Sequence, residues 1–146
     1  MIFYLVNRYV EKKNLHCLRK IKIGIIKMTN KNEIWKDVEG FEGVYVVSNL
    51  GNVARIRGNS LRYLKACCAG GRTGREYLYV NFSYNGVHKT VSVHRLVATA
   101  FCKKGPRQHD VDHIDGDKFN NKSSNLRWMT HIGNIRAFQR KRAKNG

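Results

Sequence analysis

Two β-hairpins are predicted in the middle of the chain by the pattern of apolar and polar positions. Residues 44–48 and 53–56 are two mainly apolar runs separated by a Gly-Asn dipeptide, which is typical of strand, turn and strand. Residues 77–84 alternate aromatic or aliphatic side chains with polar ones, and Asn85-Gly86 follows as the dipeptide favoured in type I′ turns. The sequence HKTVSV then predicts the returning strand of the second hairpin.

The segment HRLVATAF, which comes directly after this hairpin, predicts a short amphipathic helix. Its apolar residues recur three and four positions apart, so that one face of the helix can be buried against the sheet. The residues expected on that face are Leu96, Val97, Ala100 and Phe101. A Gly-Pro pair at 105–106 then interrupts the chain before the next unit.

A third hairpin, with a helix packed across it, is predicted for residues 111–134. A short strand ends at Asp112-His113, a polar loop comes next, and LRWM predicts the returning strand. Thr130 is suited to cap a helix, because its hydroxyl can accept a hydrogen bond from N–H groups two or three residues further on. Asn134 then lies about one turn into that helix. The expected fold class is α+β, with a small N-terminal antiparallel β module, a ββα unit and a basic C-terminal helix.

The chain is strongly basic, which bears on its partner. Its 146 residues include 28 Lys and Arg against 10 Asp and Glu, a formal net charge of +18. Such an excess destabilises a compact protein by self-repulsion unless a polyanion balances it. Nucleic acid is therefore the leading partner. An acidic membrane surface and an unusually basic, solvated exterior are the alternatives that charge alone leaves open.

The four cysteines argue against a zinc site. Cys17, Cys67, Cys68 and Cys102 include no C-x-x-C pair, and the adjacent Cys67 and Cys68 cannot easily share one tetrahedral ion. We therefore expect no zinc and no disulfide framework. The cysteines are interpreted as small buried hydrophobes or incidental thiols in a reducing compartment.

Residues 1–27 differ in composition from the rest of the chain. They contain seven basic residues and one acid, without a strand or helix pattern that matches the later segments. We interpret them as an extension that the fold does not need, and a basic DNA-binding arm is the alternative.

The opening apolar run is too short to span a bilayer, and its charges follow it, unlike those of a signal peptide. We expect a cytoplasmic protein without a membrane partner, divided into 1–27, a β module at 28–76 and a part at 77–146 that contains the second hairpin, the short helix, the ββα unit and the basic C-terminal helix.

The unit at 111–134 can bring two oxygen ligands together from distant positions. Asp112 and Asn134 are 22 residues apart, yet a helix across a hairpin can direct a carboxylate and a carboxamide oxygen to one point. A hard divalent cation accepts both. The adjacent His113 supplies an imidazole, a group whose ordinary pKa of about 6.5 lets it take a proton from water at neutral pH. Hydrolysis of a phosphodiester needs an activated water and a cation that neutralises the developing charge.

The sequence VDHIDGDKFNNKSSNLRWMTHIGN resembles the HNH nucleases, particularly the branch found in phage and intron-encoded homing endonucleases. The resemblance implies that Asp112 and Asn134 bind the metal and that His113 is the general base. It also implies that Asn125 holds the loop and thereby orients the histidine. Asn134 stands where other HNH proteins have a second metal-binding His. An EF-hand is the alternative for an Asp-rich loop, but a valine, a histidine and a lysine occupy three of its ligand positions.

The segment IWKDVEGFEGVYVVSNLGNVARI resembles the nuclease-associated modular domain of the fourth type. The residues that carry this pattern are Trp35, Gly40, Phe41, Glu42, Gly43, Tyr45, Val47, Ser48 and Asn49. The two resemblances together cover about residues 33–135. In the family this module is implicated in DNA binding, but most of its signature residues are better explained as core and turns. Arg55, Arg57 and Arg62 are the residues expected to contact DNA.

The C-terminal helix is predicted to contact phosphates through a basic tail. The tail consists of Arg136, Arg140, Lys141, Arg142 and Lys144. A solvated helix end, where cations are favoured by the helix dipole, is the alternative. A two-stranded ribbon fits a major groove, so either the hairpin at 77–93 or the stretch at 55–75 is a candidate for base contacts.

The sequence thus predicts an HNH-type DNA endonuclease that acts on double-stranded DNA with a divalent metal, Mg²⁺ or Mn²⁺. The family resemblance implies 3′-hydroxyl and 5′-phosphate ends. One active site in a monomer implies that one strand is cut per event. The alternative is a catalytically inactive DNA-binding or regulatory protein on an HNH scaffold, against which the intact Asp112, His113 and Asn134 argue.

Overall fold

The computed structural model describes residues 32–69 and 77–145. The strands are β1 Trp35–Asp37, β2 Tyr45–Ser48, β3 Val53–Arg57, β4 Ser60–Tyr63, β5 Cys67–Ala69, β6 Tyr77–Tyr84, β7 Val87–Ser92, β8 Asp110–His113 and β9 Leu126–Met129. The helices are α1 Val93–Phe101 and α2 His131–Asn145, with a 3₁₀ turn at Ser123–Asn125. The predicted extension at 1–27 lies outside the described residues. In the part of the chain that is described, no helix has the length and apolar character that a membrane crossing requires.

The first sheet is antiparallel, in the order β1-β2-β3-β4. Its β2–β3 hairpin confirms the predicted strand, turn and strand, and its turn at residues 48–52 is tightly bonded. The Ser48 side chain is buried, and its Oγ accepts hydrogen bonds from the backbone N–H of Leu50 and Asn52. Gly51 has a φ of 92°, a backbone conformation that favours glycine. The short strands β1 and β4 were not predicted, because three or four residues carry too little alternation.

The second sheet has the order β5-β6-β7 and contains the predicted hairpin. Asn85 and Gly86 have φ values of 49° and 76°, as a type I′ turn requires at both central positions. The edge strand β5 pairs Cys67 with Tyr79 and was not predicted. Neither of its cysteines, Cys67 nor Cys68, is buried, so of the two predicted interpretations only that of incidental thiols applies to them, whereas Cys102 is half-buried.

Helix α1 begins directly after β7 and buries more of its surface than the sequence predicted. Val97 is buried as expected, whereas Leu96, Ala100 and Phe101 are only half-buried. The fully buried residues also include Val93, His94 and Ala98. The reason is that α1 is covered on several sides, because it contacts β2, β6, β7, β8 and β9. The indole of Trp128 on β9 donates a hydrogen bond to the Ala98 carbonyl at 3.1 Å.

One hydrophobic core joins the two sheets, α1 and β9. The Phe82 ring of β6 stacks on the Tyr45 ring of β2, with 4.4 Å between ring centroids. The Tyr45 hydroxyl donates to the Ser83 carbonyl at 3.0 Å and accepts from the Ser83 N–H at 3.1 Å. Val97 of α1 and Leu126 of β9 belong to the same cluster. The division of the chain at residue 76 stays a prediction.

The last unit is the predicted hairpin with a helix across it. Strands β8 and β9 pair antiparallel, with Asp112 opposite Arg127 and His113 opposite Leu126. Thr130 caps α2 as predicted, since its Oγ1 accepts a hydrogen bond from the Gly133 N–H at 3.2 Å. The α+β fold class is therefore confirmed, with an antiparallel β part at the N-terminal side, a ββα unit and a basic C-terminal helix.

Phe82→Ala should lower the free energy of unfolding by about 3 to 5 kcal/mol, because it removes an aromatic ring from the shared core and leaves a cavity. Phe82 is 1% exposed. The matched control is Phe138→Ala on α2, where the ring is 59% exposed and the loss should be within about 0.5 kcal/mol. Urea unfolding of the three proteins measures both values, and equal losses would contradict the shared core.

Candidate active site

The candidate site lies where β8 ends and α2 crosses it. Asp112 and His113 are the last two residues of β8, and their side chains are 7% and 5% exposed. Asp110, two residues before Asp112, accepts a hydrogen bond from Asn134 Nδ2 of α2 at 3.3 Å. The fold thus brings Asn134 to the same strand as the Asp-His pair, but its hydrogen bond there is to Asp110 and not to Asp112.

The buried Asp112 carboxylate is held by two cations. Arg127, opposite it on β9, donates to Oδ2 through Nε at 3.0 Å and Nη2 at 2.8 Å. Lys141 of α2 donates to Oδ1 at 2.9 Å and also contacts the carbonyl oxygen of His113. A buried carboxylate requires such partners, because its desolvation is costly. Lys141 was predicted from the sequence to contact phosphate, whereas Arg127 was not predicted as a site residue, and the strand register places it directly opposite Asp112.

The donor set at this point suits a hard divalent cation. Asp112 contributes carboxylate oxygens, and Asn134 donates to Asp110 through Nδ2, which leaves its amide oxygen as the atom able to bind a cation. The Lys141 ammonium already lies against Asp112 Oδ1 and the His113 carbonyl, so a positive charge is favourable there. In the described ranges, no three His, Cys, Asp or Glu side chains are gathered as a metal cluster.

The His113 ring is fixed by a hydrogen bond to Asn121, a residue that sequence analysis did not select. His113 Nε2 lies 3.2 Å from Asn121 Oδ1. Asn121 is itself 5% exposed, and its Nδ2 donates to the Phe119 carbonyl at 3.2 Å. Nothing in the polar run FNNKSSN distinguishes Asn121 from its neighbours, so only the fold identifies it.

Asn125 connects both ends of the loop that begins after His113. Its Oδ1 accepts from the Asp115 N–H at 3.0 Å, and its Nδ2 donates to Asp115 Oδ1 at 2.8 Å and to the Asn120 carbonyl at 2.9 Å. Its own carbonyl accepts from the Ile114 N–H. Hydrogen bonds from Asn120 and Asn125 lower the pKa of Asp115. This geometry fits the loop-holding role expected for Asn125.

A second buried imidazole, that of His94 on α1, packs against His113. The ring centroids are 5.3 Å apart, and the Tyr77 ring lies 4.8 Å from His94 and 6.1 Å from His113. Burial, helped by the charges of His113 and Arg95, lowers the pKa of His94 to about 4. Within the described residues, His94 Nδ1 has no hydrogen-bond partner. Nothing in the sequence indicates that His94 contacts His113.

The first turn of α2 carries a further contact to β8. His131 Nδ1 lies 3.0 Å from Asp110 Oδ2. This hydrogen bond is the main reason that the pKa of Asp110 is lowered. With the bond from Asn134, it attaches the start of α2 to β8 and so fixes Asn134 near the site.

Comparisons with known proteins identify two families along the chain. Residues 91–136 match the family described as HNH endonuclease, and residues 33–83 match the NUMOD4 motif. The chain carries an HNH endonuclease domain preceded by a NUMOD4 motif. The recognition made from the sequence is thereby confirmed, for both parts and for their order.

Individual relatives share the HNH domain and extend beyond this chain. The DNA endonuclease I-HmuI of Bacillus phage SP01 is 42% identical over 102 residues, which are 69% of this chain and 55% of that protein. An uncharacterized HNH endonuclease of Acanthamoeba polyphaga mimivirus is 39% identical over 113 residues, 74% of this chain and 26% of that protein. A solved structure described as DNA binding and cleavage by the HNH homing endonuclease I-HmuI superimposes with a TM-score of 0.65 at 40% identity, covering 75% of this chain and 59% of that one. The chain thus spans about half the length of the first of these relatives.

The three arginines expected to contact DNA lie together in the NUMOD4 motif. Arg55 and Arg62 are opposite each other on β3 and β4, and Arg57 is two residues further along the same strand as Arg55. Side chains two apart on a strand share a face, so all three belong to one surface. Arg57 and Arg62 are exposed, whereas Arg55 is half-buried with its guanidinium 5.6 Å from the Tyr45 ring centre.

The basic residues of α2 are divided between solvent and the site. Arg136, Arg140 and Arg142 are exposed on α2, as phosphate contact would require. Lys141 is half-buried because it points to Asp112. The side chain of Lys144 lies outside the described part of the structure.

The free energy of unfolding should fall between about pH 6.5 and pH 4 because of His94. Its pKa is about 4 in the folded protein and about 6.5 in an unfolded chain, so the unfolded state binds more protons in this interval. The stabilisation is complete above pH 6.5 and is lost as the pH falls toward 4. His94→Phe keeps an aromatic ring and should remove up to about 3 kcal/mol of this dependence.

The measurement is denaturant unfolding across that pH range, with His88→Phe as the control. His88 is exposed on β7, so its replacement should leave the pH dependence unchanged. Parallel curves for His94→Phe and the unmodified protein would reject this account of His94.

Proposed function

We propose that this protein is a divalent-metal-dependent endonuclease that hydrolyses phosphodiester bonds in double-stranded DNA. The observation that carries the proposal is the placement of Asp112 and His113 at the end of β8, with Asn134 of α2 hydrogen-bonded to Asp110 of the same strand, within residues that match an HNH endonuclease domain. The net charge of +18 favours a polyanionic substrate. A relative with 42% identity bears the name DNA endonuclease, which supports the same assignment.

The oxygens of Asp112 and Asn134 are the proposed metal ligands. Mg²⁺, with Mn²⁺ as a substitute, would neutralise charge on the scissile phosphate and the leaving oxygen. Lys141 must release Asp112 Oδ1 for this, since both cations would compete for the same oxygen. The released ammonium can then reach a phosphate, which is the use first predicted for Lys141. With few protein ligands, metal and DNA should bind cooperatively.

His113 is the proposed general base, with Asn125 holding the loop behind it. A neutral imidazole takes a proton from the attacking water, while the network of Asn125 fixes the backbone on the far side of His113. The ends expected from the family resemblance are 3′-hydroxyl and 5′-phosphate. With one such site per chain, we propose that a monomer cuts one strand per event, in the cytoplasm of a bacterial or phage-infected cell.

A second candidate function is DNA binding without catalysis. The observation that favours it is the pairing of both Asp112 oxygens with Arg127 and Lys141, which would exclude a metal if it persisted on DNA. The two candidates differ in whether a cut appears when metal is supplied.

Supercoiled plasmid should be converted to open circles by the protein with Mg²⁺ and remain intact with EDTA. His113→Ala, Asp112→Ala and Asn134→Ala should each lower the rate of nicking at least about 100-fold, because each removes a part of the reacting centre. Agarose gel quantification of circles and linear DNA measures the rate and distinguishes nicks from double-strand breaks.

The matched control is His109→Ala, which removes an exposed imidazole four residues before His113, and it should cut like the unmodified protein. Equal cutting by the unmodified protein and His113→Ala would reject the proposed base. DNA binding without any cutting in Mg²⁺ or Mn²⁺ would establish the second candidate instead.

Contact with DNA through the NUMOD4 surface should appear in the salt dependence of binding. Replacing Arg57 and Arg62 by Gln should weaken binding and lower the slope of log K against log salt by about two, or roughly 0.9 for each lost phosphate contact. The matched pair is His88→Gln with Lys89→Gln on the exposed β7, which should change the slope little. Fluorescence anisotropy with metal-free duplex measures the slope. A lower slope for the His88 and Lys89 pair, with no change for the Arg57 and Arg62 pair, would assign DNA contact to the β6–β7 hairpin.

A further inference from the structure

We propose that the 48–52 turn of the NUMOD4 motif is a positioning element for the nuclease site, and that it acts through Asn121 on the proton of the His113 ring. The inference rests on the proposed role of His113 as general base. It makes Asn121 a positioning residue and gives the N-terminal sheet a part in cleavage besides any contact with DNA.

The Asn121 amide group has a defined orientation. Its Nδ2 donates to the Phe119 carbonyl, so its Oδ1 is the atom that faces His113 Nε2 at 3.2 Å. An amide oxygen can only accept a hydrogen bond, and therefore Nε2 must carry the ring proton. A neutral imidazole has one N–H, which leaves the lone pair on Nδ1. Asn121 thus selects the tautomer in which Nδ1 is the basic atom.

Asn121 and His113 are both buried. Both side chains are 5% exposed, so bulk water has little access to replace the amide oxygen if it moves away. The orientation of the ring and the position of its proton therefore depend on where Asn121 is held. Asn125 fixes the backbone next to His113, whereas Asn121 is bonded to the ring itself.

Asn121 lies close to the backbone of the 48–52 turn. A Cβ added to Gly51 would lie 3.1 Å from Asn121 Cβ and 3.1 Å from its carbonyl oxygen. A side chain at this position would therefore press on Asn121 and require the loop to shift. A hydrogen bond from the Ser123 N–H to the Asn49 carbonyl, at 2.8 Å, attaches the same loop to the same turn. The buried Ser48 side chain keeps the turn rigid, so the loop rests on a fixed support.

The first experiment separates the amide oxygen from the loop as a whole. Asn121→Leu, close in size but without an acceptor, should lower kcat for plasmid nicking about 10- to 100-fold with KM changed less than about twofold. Asn121→Asp places an acceptor oxygen at the same position and should recover most of kcat. Asn120→Leu removes a bond to Asp115 in the same loop and should cost less than Asn121→Leu.

The tautomer itself is measured by the imidazole ¹⁵N shifts of His113 in the metal-free protein, at a pH where the ring is neutral. The unmodified protein and Asn120→Leu should show the Nε2–H form, and Asn121→Leu should show a mixture of both tautomers. Equal losses of kcat in Asn121→Leu, Asn121→Asp and Asn120→Leu would overturn the inference. An unchanged tautomer in Asn121→Leu would overturn it as well.

The second experiment tests the turn with two matched glycines. Gly51→Ala and Gly40→Ala both place a side chain at positive φ, 92° and 79°, so both should lose stability from backbone strain. An added Cβ at Gly40 has nothing within 4 Å, whereas at Gly51 it meets Asn121. Gly51→Ala should therefore lower kcat and mix the tautomers, while Gly40→Ala should do neither. Equal kcat in the two folded variants would exclude the turn from the mechanism.

Failure of the inference differs from failure of the proposed function. If His113→Ala cuts like the unmodified protein, the proposed base is wrong and this inference is overturned with it. If His113→Ala is inactive while Asn121→Leu keeps its kcat, the nuclease assignment stands and the positioning role is rejected.

Discussion

The packing of Phe82 on Tyr45 is the interaction on which the rest of the structure depends. It joins the first sheet to the β6–β7 hairpin, and the same cluster continues through Val97 to Leu126 of the HNH hairpin. Because protein interiors are close-packed, this core fixes the distance between elements that are far apart in sequence. The turn at 48–52 therefore meets the loop that holds His113 at van der Waals distance.

Within this rigid frame, the charge of Asp112 is the main electrostatic constraint on the site. A carboxylate that is 7% exposed must be neutralised in every state of the protein. Arg127 and Lys141 do this without metal, and α2 is thereby attached to β8. Arg127 lies on the neighbouring strand and donates two hydrogen bonds to Oδ2, whereas Lys141 lies on α2 and donates one to Oδ1. The two oxygens thus differ in how readily they can change partner.

Local sequence determines much of the fold, but only part of the site. Asn85-Gly86, Thr130 and the strand ending at His113 were predictable because each depends on neighbours within a few residues. The elements β1, β4 and β5 were not, since their pairing partners and not their own alternation define them. For the site, the motif identified Asp112, His113, Asn125 and Asn134 as a set. The partners Arg127, His94 and Asn121 needed the strand register and the shared core, which no short-range pattern contains.

The close approach of Gly51 to Asn121 has a consequence for how such proteins can be assembled from parts. A nuclease and a targeting module joined only by a linker could be exchanged freely between genes. Here the loop after His113 lies directly on the backbone of the preceding module, at a point where an added methyl group would meet its neighbour at 3.1 Å. Recombination at this boundary therefore favours modules that present glycine at the same place, since a larger residue would require the loop to shift.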